Sequence, residues 1–250
     1  MYRNPFLTST FVCVVLALMP QVFAQEETEA PSYGAGVDVM SSYVWFGTII
    51  SADPVIQPEA WFSYNGWTID VWNNVDLTDY EIAPWRVTET DWTVEYGFDL
   101  KGVEMAVGYI YYTFPNLRID DTQEVYASAC FDVLLSPSVE VYYDFDEIGG
   151  VRATGSIGYA VPMGDGEDAP SVEFGAALDY GDSSYISGCF DDVGACLVDM
   201  TFSCQVPLAV SEHVSITPMI AYMQVLDKDL RACTDKSESL YGGVSVTAEF

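Results

Sequence analysis

Carboxylates are the residues of this chain best placed to do chemistry. Asp38, Asp70, Asp76, Glu95, Asp99, Glu104, Asp132, Glu140, Asp144, Glu173, Asp179 and Asp199 sit at alternate positions of short segments, opposite apolar and aromatic neighbours. Every second residue of a strand shares a face, so these acids would line one side of a sheet. Basic residues able to neutralise them are nearly absent from the same segments, and Arg152 is the main candidate. An unpaired carboxylate in a dry core costs several kcal/mol. A set this large therefore needs water or cations around it, which points to a hydrated, cation-preferring interior. For any single acid, the plain alternative is a strand end that faces solvent.

Other chemistry is thinly represented. Beyond Cys13 the chain carries Cys130, Cys189, Cys196, Cys204 and Cys233. In an exported protein these can form disulfides. Cys189 and Cys196 flank one loop and suit a staple; Cys189 with Cys233 is the other option. An odd number leaves at least one thiol unpaired. There is no CxxC spacing, and His213 is the only histidine, so neither a metal site nor a cofactor is expected. A Ser–His nucleophile pair needs a histidine at the outer rim, whereas His213 falls in a turn of the opposite rim beside Glu212. Paired carboxylates serve glycosidases and aspartic proteases, but among so many acids a pair carries little information. No catalytic residue is assigned and no enzyme is expected.

The elements that would position these acids are strands. Period-two segments fall near 37–45, 54–64, 67–77, 92–100, 103–113, 123–135, 139–146, 152–161, 172–180, 195–206, 214–226 and 239–250. About twelve such segments have the length of a tilted membrane strand, and no helix is evident. In the last one, Leu240, Gly242, Val244, Val246, Ala248 and Phe250 oppose Ser239, Tyr241, Gly243, Ser245, Thr247 and Glu249. Tight turns at Asn65-Gly66, Lys101-Gly102, Ser136-Pro137-Ser138 and residues 211–213 alternate with longer polar links. That alternation suits a barrel with a periplasmic and an outer rim. Two links depart from it: 147–151 is short for an outer loop, and 162–171 is long for a periplasmic turn. Arg86, Arg118, Arg152, Lys228, Arg231 and Lys236 fall at outer loops or strand ends. There they meet either a phosphate-rich leaflet or plain solvent.

Residues 1–24 read as a secretory signal peptide, with Arg3, an apolar run over 11–19 and Val22-Phe23-Ala24 ahead of the cleavage point. Cys13 lies inside it without a lipobox-like context. An acidic leader follows at 25–32, and the barrel occupies 33–250. The formal charge is -30, or about -31 once Arg3 is removed. Such acidity excludes nucleic acid as a partner, yet the 50% hydrophobic content excludes a disordered acidic chain.

Ser42-Tyr43-Val44-Trp45-Phe46-Gly47, with Pro54 to Gln57 beyond a polar link, resembles the opening of the TorF family of outer-membrane porins. That family typically carries Ser-Asp-Tyr-x-aromatic-Arg-Gly at this point; here Ser42 stands for the Asp and Phe46 for the Arg. The similarity extends through the strand spacing, Asn65-Gly66-Trp67, Tyr142-Tyr143-Asp144 and the C-terminal strand. It implies an outer-membrane pore, without the lumen chemistry that the missing Arg would bring. Together with the terminal aromatic, it also implies that Phe250 is an assembly signal read by barrel-assembly machinery.

The expectation is an all-β protein, a single antiparallel transmembrane β-barrel of about twelve strands in up-and-down order. Held in outer-membrane lipid, it would pass small hydrophilic, cationic or neutral solutes by diffusion. A non-conducting structural or adhesive barrel is the first alternative, and a secreted soluble β-sandwich that binds a ligand is the second.

Overall fold

The computed structural model describes residues 30–250, apart from 81, 167, 168, 191 and 192. The expected signal peptide over 1–24 and residues 25–29 of the expected leader over 25–32 lie outside the described residues. Strand β1 (Ser32–Met40) leads into a hairpin, β2 (Tyr43–Trp45) and β3 (Thr48–Ser51), and then into β4 (Val55–Tyr64). Next come β5 (Trp67–Asp76), β6 (Arg86–Leu100), β7 (Val103–Thr113), β8 (Thr122–Phe131), β9 (Ser138–Asp144), β10 (Val151–Pro162) and β11 (Ser171–Gly181). Helix α1 (Ser183–Cys189), β12 (Cys196–Gln205), the two-residue β13 (Leu208–Ala209), β14 (Val214–Val225), α2 (Leu230–Cys233) and β15 (Glu238–Glu249) complete the chain.

Twelve long strands form a closed antiparallel barrel, with β13 as one extra strand against β14. β12 pairs with β14, and β15 pairs with β1 from Gly34 opposite Glu249 to Met40 opposite Gly243. A closed wall leaves no long free edge and is not a two-sheet sandwich. Asn65 and Gly66 both have positive φ, 50° and 80°, as the two-residue turn matching strand twist requires.

Alternation decides which side each residue faces. Val39, Ile69, Trp92, Val107, Val141, Ile157 and Val244 stand exposed on the outer surface. At one rim Trp67 packs on Tyr96 at 5.0 Å and Tyr33 on Phe250 at 5.8 Å. Tyr109 and Phe145, 6.4 Å apart, mark the other rim. An apolar band between aromatic girdles is the dress of a membrane barrel. No helix among the described residues is long and apolar enough to cross a membrane.

Three expectations need correction. The segment drawn over 37–45 is two elements: β1 ends at Met40, and Tyr43 begins the separate hairpin. β6 starts at Arg86 rather than 92, and β8 stops at Phe131 rather than 135. Two helices exist where none was evident. α1 is too short for a 3.6-residue period to show; its start is fixed by Asp182, whose carboxylate accepts the Tyr185 N–H at 2.8 Å.

Candidate functional site: the barrel interior

The outer half of the interior is filled. The β2–β3 hairpin folds inward, turning at Phe46 and Gly47, which both have positive φ. Tyr43, Val44 and Phe46 are buried against inward wall residues such as Val55, Trp72, Val198 and Met223. Tyr185 and Ile186 of α1 and Leu230 of α2 join the same cluster. Phe46 meets the Tyr185 ring at 5.2 Å. Tyr43 and Trp45, which the alternation of the expected 37–45 strand puts on its apolar face, instead join Phe46 in the body of a plug.

Beneath the plug lies an ionic knot. Arg152 grips Glu124 with two donors, Nη2 to Oε2 at 2.7 Å and Nε to Oε1 at 3.1 Å. Its guanidinium also lies 3.5 Å over the Tyr142 ring, with Trp45 of the plug 5.6 Å away. Tyr112 and Tyr185 donate to Glu124 at 2.8 and 3.0 Å. Burial pushes the Tyr185 hydroxyl well above the ordinary phenol range, so it remains a proton donor. A fork-on-carboxylate pair with every lone pair answered is the arrangement that tolerates burial. Arg152, the second residue of β10, therefore does lie at a strand end, but it faces the interior and not the leaflet.

The sequence-predicted acids separate into groups. Asp38, Asp70, Asp76, Glu140, Asp144, Asp179 and Asp199 are buried on inward positions. Glu95 and Glu173 are half-buried there, Glu95 accepting from Tyr126 at 2.6 Å and Glu173 from Gln205 at 2.8 Å. Asp99 and Glu104 are exposed at the inner rim, where Asp99 accepts the Gly102 N–H at 3.0 Å. Asp132 lies beyond the end of β8, in an exposed turn. Asp144 ties down the short outer loop, accepting the N–H groups of Asp146, Ile148 and Gly149 at 3.0 to 3.2 Å. Elsewhere hydroxyls and amides hold the acids: Thr154 on Asp179 at 2.5 Å, Tyr142 on Glu140 at 2.5 Å.

Glu89, Asp91 and Glu124 belong to this interior and escaped the sequence reading. The parity that selects Asp132 also selects Glu124 on the same strand. Starting β6 at 92 cut off Asp91 and Glu89. Tyr43 donates to Glu89 at 2.8 Å, a partnership that only the inward hairpin creates.

The inner half is lined differently. Inward positions there hold Gly34, Gly36, Ala106, Gly108, Ser128, Ser156, Gly158, Gly175 and Ser203. Large side chains lie flat across some of them: a Cβ at Gly34 would run into the Trp61 ring, and one at Gly108 into Tyr126. This is cross-strand cover of glycine by an aromatic.

All five described cysteines carry unbridged thiols, with Cys189 and Cys196 both against the plug cluster. Burial pushes the Cys189 thiol up to about 12. His213 stacks on Phe250 at 5.0 Å and meets the Glu249 carbonyl at 3.0 Å. Lys228 lies 3.9 Å from Asp229, and both are exposed.

The fold is that of outer-membrane porins. A KdgM porin in complex with disordered oligogalacturonate matches with a TM-score of 0.51 at 13% identity, over 88% of this chain and 99% of that one. A second KdgM porin structure gives 0.50 at 12% identity over the same shares, 88% and 99%. The COG4313 outer membrane channel from Pseudomonas putida F1 gives 0.49 at 9% identity, covering 92% of this chain and all of that one. No protein-family model matches the chain, and no curated protein matches it in sequence.

Proposed function

We propose that the protein is an outer-membrane porin-type channel for small hydrophilic solutes, cationic in preference to anionic, whose flow is limited by the inward plug. The observation that carries this reading is the charge balance of the bore. Seven of the acids named from sequence are buried on inward positions, and Arg152 is the one buried cation among the described residues. A bore with that balance concentrates cations and repels anions. Residence in outer-membrane lipid, export by the signal peptide and assembly through Phe250 belong to the same proposal. The TorF-like motif fits it as well, since the motif falls on the plug hairpin. So does a Cys189–Cys196 or Cys189–Cys233 bridge in the oxidising exterior, which would pin the plug helices; alkylation with and without reduction, followed by mass spectrometry, reads it directly.

The plug favours a second reading, a sealed structural barrel. Planar-bilayer recording of the mature protein separates the two. A channel gives discrete conductance steps and a cation-selective reversal potential in a salt gradient. Replacing residues 42–51 by a short Gly-Ser link should raise the step size several-fold. Silence from both the intact and the trimmed barrel would establish the structural reading.

A further inference from the structure

One patch of the inner wall gathers buried polar atoms that no protein group answers. Asp70 Oδ2, Asp91 Oδ1, Thr93 Oγ1 and the Trp72 indole Nε1 are buried without a hydrogen-bond partner, four of the eight such side-chain atoms among the described residues. Their residues are only 4% to 7% exposed. An orphaned buried polar atom costs roughly 1–3 kcal/mol, so four together need an account.

They lie on neighbouring strands in direct register. Asp70 stands opposite Thr93 on β5 and β6, and Trp72 opposite Asp91. Directly opposed side chains are ~5 Å apart at Cβ and diagonal ones ~7–8 Å, so both carboxylates and the hydroxyl reach one point. Charge does not close the patch from the protein side. Asp91 feels Glu89, Asp70 and Glu124 as well as Arg152, and Arg152 is committed to Glu124 at 2.7 Å. From the plug, Tyr43 packs edge-on against Trp72 at 5.8 Å.

We propose that Asp70, Asp91 and the Thr93 hydroxyl bind a hard divalent cation of the calcium class. All three donors are oxygen, the preference of such ions, and two carboxylates balance a double charge. The indole N–H can only donate, so it serves a water or a carboxylate lone pair at the edge of the ion's shell. With two acids and no third metal-binding side chain converging among the described residues, the affinity belongs in the weak range, roughly 10⁻⁴–10⁻³ M. The site is independent of conduction, because a sealed barrel would hold it equally.

The test is calorimetric titration of calcium chloride into the mature barrel folded in detergent. One saturable site per barrel is expected. Asp70→Asn with Asp91→Asn should weaken it about tenfold or more, while Asp99→Asn with Glu104→Gln, at the exposed rim, should leave it unchanged. Thr93→Val keeps both charges and should weaken binding measurably; it carries the test if the double variant does not fold. Equal binding by wild type and the site variants, no saturable binding at all, or displacement by an equal concentration of potassium would overturn the proposal.

Discussion

The two halves of this barrel have the same wall and opposite interiors. In the outer half the hairpin, α1 and α2 pack onto buried wall residues such as Val55, Trp72 and Met223; in the inner half many inward positions are glycine, alanine or serine, some of them covered by Trp61 and Tyr126, with scattered acids. A strand wall of fixed radius leaves a bore that side chains either fill or leave open. Stability should therefore be concentrated in the outer half and ion selectivity in the inner half.

The sharpest way to break that contrast is chemical access. The Cys189 thiol, raised by burial from 9.0 to about 12, should hold ~1000-fold less thiolate at pH 8 than an unshifted thiol. In the reduced protein, maleimide labelling should therefore reach exposed Cys233 long before Cys189. Comparable rates would show the plug to be open. Next in size, Arg152→Ala strands Glu124 and should cost about 3–5 kcal/mol, visible as a lower urea midpoint for unfolding from micelles. Val71→Arg on the outer surface should cost ~2–4 kcal/mol, read as a lower yield of the heat-modifiable folded band. Glu95→Gln with Glu173→Gln should move the unfolding midpoint little, within about 0.5 kcal/mol, while reducing the cation-to-anion permeability ratio. A large stability loss from that inner pair would erase the division of labour.

Most of the wall was legible in the sequence because a strand writes its two faces in alternate letters. Each of the twelve long strands overlaps one of the twelve expected segments, with β1 and β6 starting several residues earlier than expected. The plug was not legible, for a physical reason. Tyr43 and Trp45 continue the alternation begun by Val37 and Val39, so nothing local marks the break after Met40. Aromatics suit a lipid face and a packed interior equally well. Arg152 reads as a strand-end charge until β9 and β8 bring Tyr142 and Glu124 beside it. The orphaned atoms around Asp91 depend on register across two strands, which a single sequence leaves open.

The pairing of β1 with β15 also sets a kinetic order. Tyr33 and Phe250 exchange backbone hydrogen bonds at 2.9 and 3.1 Å, joining the two extremes of the described chain. Closing so long a loop costs little more than closing one half its length, about 0.6 kcal/mol per doubling. Contacts of such sequence separation are nonetheless slow to find. Until the last strand arrives, every growing intermediate presents two unsatisfied edges, the condition that invites aggregation. The final dozen residues therefore act as a latch, and the lifetime of the unlatched chain sets how much protection it needs on the way.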